Sequence, residues 1–153
     1  MHKISIKRKI KTSYEALLNI LWKIEAWSYF WSPIHQVYIS YDDGIHQDFC
    51  MYLDWQNESS FIRTVRFLDH KRNINFFSPS PPPPMAIHHG QWELNIDAEQ
   101  NVELTATRWF KLHEINEESS EIYEKRLSLF SNGFEKRLER LLENLGNLCE
   151  KST

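Results

Sequence analysis

The sequence is short of the residues that most metal, redox and phosphate sites need. Its 153 residues hold two cysteines and four glycines. Cys50 and Cys149 lie far apart and form no ligand or redox spacing. Met1 to Lys11 has no apolar stretch of the kind a signal peptide carries, so both thiols are expected to be free, in a reducing and cytoplasmic setting. No glycine-rich phosphate loop can be traced, and no Ser-His-Asp arrangement stands out. His88 and His89 are neighbours on a strand and point to opposite faces, so they cannot hold one ion together. No His, Cys or carboxylate cluster shows ligand spacing, and neither a metal nor a cofactor is expected. No uninterrupted apolar run approaches the thickness of a bilayer, which argues against membrane insertion. A basic excess is also missing. The formal net charge is -3. The cluster Lys7, Arg8, Lys9 and Lys11 sits beside Ile4, Ile6 and Ile10 and reads as a solvated strand face, so no nucleic acid is expected as a partner.

What the chain has in surplus is aromatic area. Six Trp, six Tyr and nine Phe make up 14% of the residues. That is more than packing alone requires in a single domain spanning 1–153, and it suits a roomy cavity or an oligomer interface.

The order of elements follows from periodicity. His2 to Lys11 alternates as a half-buried strand. Thr12 or Ser13 can cap a short helix carrying Leu17, Leu18, Leu21 and Trp22, and Ile24 to Ser32 reads as a second short helix or turn. Strands then follow closely: Val37, Ile39 and Tyr41 on one face; a hairpin turn at Asp42-Asp43-Gly44; Phe49, Met51, Leu53 and Trp55 on one face; a turn at Gln56-Asn57; then Ser60 to Asp69. After a turn at His70 to Asn73, a strand covers Ile74 to Phe77. Ser78 to Pro84 is expected to leave the ladder as a stiff segment rimming a pocket. Ala86 to Ile96 and Val102 to Leu112 form the last hairpin. The remainder is one long helix, with Tyr123, Leu127, Phe130, Phe134, Leu138, Leu141, Leu145 and Leu148 in a single stripe. The expected fold is therefore α+β: a curved antiparallel sheet wrapped around a long C-terminal helix, with two short helices after the first strand and a cavity between sheet and helix.

Two arginines carry the chemical interest. Arg108 falls on the inward face with Val102, Leu104, Ala106, Phe110 and Leu112. A buried guanidinium keeps its charge and needs a partner. That partner is either an internal acid such as Glu93 or Asp54, or the oxygen atoms of a ligand. Arg66 shares a face with Ile62, Thr64 and Leu68, but Phe61, Arg63, Val65 and Phe67 make the other face as plausible an interior. His88 shares the Gly90 and Trp92 face and reads as a satisfied core or rim histidine. Gly90 suits close approach of a neighbouring backbone, and Gly133 could leave room for a ligand beside the helix.

Three segments resemble the polyketide cyclase/aromatase branch of the helix-grip (START-like, Bet v 1-like) superfamily. They are Ile24 to Trp27, Phe61 to Asp69, and Pro84 to Trp92 with Leu94 to Glu99 and Leu104 to Thr107. The resemblance runs from about Ile4 to Leu148. It implies cofactor-independent aldol cyclisation and dehydration of a poly-β-ketone, delivered by an acyl carrier protein in some settings, in a monomer or homodimer. It places Arg66 as the oxyanion-stabilising residue, with Arg108 assisting. Trp27, Trp31, Met51, His88, Trp92, Phe110, Phe130 and Phe134 would shape the pocket. The chain departs from the pattern in three places. Arg108 stands where some members have a histidine, Lys136 or a neighbour where some have an acid, and Ile34 where some have a pocket tyrosine, with Tyr38 nearby. These departures favour the competing reading, a non-catalytic binder of a lipid, pigment or aromatic metabolite. A third reading, an interaction module using exposed aromatics, requires a filled core without a cavity.

Overall fold

The computed structural model describes residues 1–55 and 58–151, so the turn expected at Gln56-Asn57 lies outside the described residues. The chain runs β1 (His2–Ile10), α1 (Tyr14–Trp22), a 3₁₀ helix (Ile24–Tyr29), six strands and a terminal helix, in the expected order. The strands are β2 (Ile34–Asp42), β3 (His46–Trp55), β4 (Glu58–Leu68), β5 (Ile74–Ser80), β6 (Met85–Ile96) and β7 (Val102–Leu112), and the helix is α2 (Ser120–Lys151). They form one curved antiparallel sheet in the order β1-β7-β6-β5-β4-β3-β2. The meander from β2 to β7 is thus closed on its far side by the first strand.

Local chemistry explains the joints. The Ser13 side chain accepts a hydrogen bond from the Ala16 N–H and caps α1. Gly44 turns the β2–β3 hairpin at a φ of 84°, and the Asp43 carboxylate accepts the Ile45 and His46 N–H groups. One expectation fails. Strand β5 does not stop at Phe77 but runs to Ser80, which pairs with Arg63. A register shift in the β4–β5 ladder absorbs Pro79, whose missing N–H is tolerated at a bulge.

The core is continuous across the inner sheet face, α1, the 3₁₀ helix and the C-terminal half of α2. Leu138, Leu141, Leu142, Leu145, Gly146 and Cys149 of α2 are buried, and this half packs across β1. Tyr123, Leu127, Phe130 and Phe134, on the first half, are only partly buried. This first half still touches the sheet, where His2 meets the Ser131 hydroxyl and the Leu112 N–H donates to Tyr123 Oη. None of the described helices is long and apolar enough to cross a membrane.

Candidate functional site

One row of the sheet organises the site. Across successive strands, Gln47 opposes Arg66, Arg66 opposes Phe76, Phe76 opposes Gly90, Gly90 opposes Arg108, and Arg108 opposes Ile4. Directly opposed residues share a face, so both arginines point to the concave side. Both are nearly inaccessible, at 4% for Arg66 and 5% for Arg108. On β4 this settles which face is inside: Ile62, Thr64 and Arg66 are buried, whereas Phe61 and Phe67 are 43% and 46% exposed.

The two guanidinium groups meet different surroundings. Arg66 is committed to the fold. Its Nη1 donates to the Leu21 carbonyl and its Nη2 to the Trp22 carbonyl, each at 2.7 Å, at the C-terminal end of α1. Nε donates to Gln47 Oε1 at 2.9 Å, and Nη2 reaches the same oxygen. Gln47, itself buried, passes the interaction on through its amide N–H groups to Asp42 and to the Trp22 carbonyl. The cation thus complements the negative end of a helix and, at one remove, a carboxylate. Burial lowers its pKa to about 9, while Asp42 and Glu25 act in the opposite sense.

Arg108 is held differently. Its Nη1 donates to the Thr107 carbonyl at 2.9 Å and the Gln91 carbonyl at 3.4 Å. The guanidinium carbon lies 4.4 Å from the centre of the Trp92 ring and 4.7 Å from that of Phe76. Among the described residues no carboxylate pairs with it, so the internal ion pair with Glu93 or Asp54 is not made. Burial alone pulls its pKa down to about 9, which leaves it charged at neutral pH.

Gly90 makes this arrangement possible. A Cβ there would stand 2.4 Å from the Thr107 carbonyl oxygen and 2.7 Å from two carbons of the Phe76 ring. The missing side chain lets Phe76 lie across the strand and reach Arg108.

Both arginines line a single cavity of about 380 Å³ between the sheet, the 3₁₀ helix and α2. Trp27, Trp31, Met51, His88, Trp92, Phe130 and Phe134 line it as expected, and so do Pro82, Pro83 and Pro84. Phe110 does not. Its ring is fully buried and packs against Phe130 and Phe134, which take its place at the cavity surface. The interior is not filled, so the interaction-module reading loses its requirement.

His88 is not the satisfied histidine that the sequence suggests. Its ring packs between Phe76 and Phe134, and neither Nδ1 nor Nε2 has a hydrogen-bond partner. Burial, then the Arg108 charge, push its pKa down to about 3, so the imidazole is neutral. The neutral ring carries one donor and one acceptor nitrogen, both enclosed by protein.

Arg137 was missed from the sequence. It lines the cavity from the exposed flank of α2, over the Phe130 and Phe134 rings. Its Nη1 lies 3.0 Å from where a Cβ on Gly133 would be, so that glycine makes room for the arginine rather than for a ligand. The signal was its position three residues after Phe134, beside the apolar stripe. Lys136 is exposed and does not line the cavity. Tyr38 stacks edge-on against Tyr52 and is 53% exposed, so it supplies no pocket hydroxyl. Among the described residues no aspartate or glutamate lines the cavity, and no cluster of three or more His, Cys, Asp or Glu could hold a metal ion.

No family model matches the chain, and no curated protein matches it. Solved structures do. TTHA0849 from Thermus thermophilus is similar with a TM-score of 0.81 at 12% identity, over 99% of each chain. A START superfamily protein from Mycobacterium smegmatis gives 0.75 at 15% identity over 100% of both chains. The Zhui aromatase/cyclase from Streptomyces sp. R1128 gives 0.74 at 16% identity, over 94% of this chain and 93% of that one. At such low identity these likenesses speak to the fold.

Proposed function

We propose, on the premise that the chain has the helix-grip fold of START proteins and aromatase/cyclases, that its cavity takes up a hydrophobic, oxygen-rich small molecule of the poly-β-ketone kind and favours its cyclisation. The observation that carries this reading is Arg108: a buried cation between two aromatic rings, lining a cavity and lacking a carboxylate partner. In an aldol cyclisation, loss of an α-proton leaves an enolate. Its carbon attacks a second carbonyl and forms a C–C bond. That bond closes the ring; the resulting alkoxide takes up a proton, and loss of water, as the hydroxyl and a neighbouring hydrogen, introduces a ring double bond. A fixed cation in a water-poor site lowers the barrier by stabilising the enolate and alkoxide oxygens. Arg108 suits that role better than Arg66, whose N–H groups are largely engaged by protein oxygens. The aromatic wall would hold the chain folded.

The second reading, a carrier that binds without catalysis, is favoured by one observation. His88, with a pKa of about 3, is a weak base for removing an α-proton. Incubation with a poly-β-ketone generated in situ separates the two. A product distribution shifted from that of spontaneous cyclisation, and returned to it by Arg108→Gln, is the expected result. An unchanged distribution with the compound retained on the protein selects the carrier. An unchanged distribution with nothing retained overturns both.

A further inference from the structure

The polar groups of the cavity are unbalanced in sign. Arg66, Arg108 and Arg137 line it, and among the described residues no acid does. Arg66 has protein oxygens around it. Arg108 uses only Nη1, which meets two backbone carbonyls. Its Nε and Nη2 have no protein acceptor. They are not sealed in protein either, because among the described residues the fully buried side-chain nitrogens and oxygens without a partner are those of His88. In a residue 5% exposed, these two atoms therefore face the cavity. The Nε–Nη2 edge of a guanidinium presents two parallel N–H donors, a spacing that matches the two oxygens of a carboxylate and not the single oxygen of a ketone. Phe76 and Trp92 stack near the guanidinium and exclude water from it. His88 also borders the cavity, but both of its ring nitrogens are enclosed by protein, so Arg108 carries the free donors.

We infer that the ligand enters as an anion: an aromatic or acyl carboxylate whose head group pairs with the Nε–Nη2 edge of Arg108, with its apolar body against Phe130, Phe134 and Met51. The inference rests on the reading of the cavity as a ligand site and adds the charge of the ligand. It makes the ligand the missing counter-ion of a buried cation. An unpaired charge of that kind weakens the empty protein and rewards occupancy by an anion.

The test titrates the full chain by calorimetry with 2-naphthoate and with 2-acetonaphthone, two probes of the same ring system that differ in charge and oxygen count. The carboxylate is expected to bind about tenfold more tightly or better. In Arg108→Met the preference should vanish while the ketone still binds, and the melting temperature of the empty protein should stay level or rise. Arg108→Gln, which keeps a polar side chain, gives the same comparison if the methionine variant does not fold. Equal or tighter binding of the ketone overturns the inference and leaves the cavity a ligand site. A carboxylate preference that survives in the Arg108 variants overturns the assignment to this residue. Binding of neither probe removes the ligand-site reading, and the inference with it.

Discussion

Arg66 and Arg108 occupy the same row of the sheet and both line the cavity, yet Arg66 is tied to protein oxygens through three nitrogens and Arg108 through one. Replacing Arg66 by Met leaves the amide oxygen of Gln47 without its donor and removes one of two side-chain donors from each of the Leu21 and Trp22 carbonyls, which keep Trp27 and Gln47. The variant should lose about 3 kcal/mol of stability or more in urea denaturation, as broken buried networks do. His88 gives the pH prediction. Its imidazole, packed against Phe76 of β5 and Phe134 of α2 and facing the Arg108 charge from β7, titrates near 3 when folded against 6.5 when unfolded. Between those values the unfolded chain binds the extra proton, so this contribution is complete above pH 6.5 and fades as the pH falls toward 3. The loss amounts to roughly 5 kcal/mol at most. In His88→Phe that slope should flatten, which denaturant melts between pH 4 and pH 7 would report. The inward placement of Arg108 was legible because β7 alternates cleanly. The role of Arg66 was not. Both faces of β4 carry large apolar residues, and its acceptors sit on a helix end 44 and 45 residues upstream. Nothing local signals a contact of that range. The orphaned nitrogens of His88 were equally hidden, since a lone histidine in a strand does not declare whether its neighbours can bond to it.

Among the elements, the β5–β6–β7 ladder decides the shape of the site. Gly90→Ala would force a methyl group into the Thr107 carbonyl and the Phe76 ring. The substitution is expected to cost about 2 kcal/mol, the scale of overpacking in a tight interior. It should also weaken ligand binding, because Phe76 must leave its place beside Arg108; chemical denaturation and calorimetry on the same variant check both effects. The sequence marked Gly90 as a site of close approach, but the approaching group is a ring from the next strand as well as a backbone. The stripe on α2 was legible except for Leu142, which is buried beside it, and its uniform spacing concealed a division of labour. Leu142 and Leu145 are buried in the core, while Phe130, Phe134, Leu138 and Leu141 line the cavity. Periodicity reports which side of a helix is apolar, and not whether anything fills the room opposite. The proline segment was read correctly as part of the cavity wall at Pro82 to Pro84. It was read too early as an end to the ladder, because a bulge opposite Pro79 extends β5.

For the whole molecule, the element order and the hairpins were visible because each follows from local alternation and turn chemistry. What joins the first strand to the far end of the meander was not. Strand β1 pairs along its entire length with β7, from His2 opposite Phe110 to Ile10 opposite Val102. Contacts so distant in sequence should make refolding a matter of milliseconds to seconds rather than microseconds, as stopped-flow fluorescence of the tryptophans can measure. The pairing also has a consequence during synthesis. The first strand leaves the ribosome long before its partner exists, and it carries Ile4, Ile6 and Ile10 with an unmatched edge. Throughout that interval the nascent chain relies on Lys7, Arg8, Lys9 and Lys11, whose mutual repulsion discourages premature association with other strands. Neutralising the basic cluster is therefore expected to reduce soluble yield more than it reduces the stability of protein that has already folded, which expression trials beside denaturant melts would check.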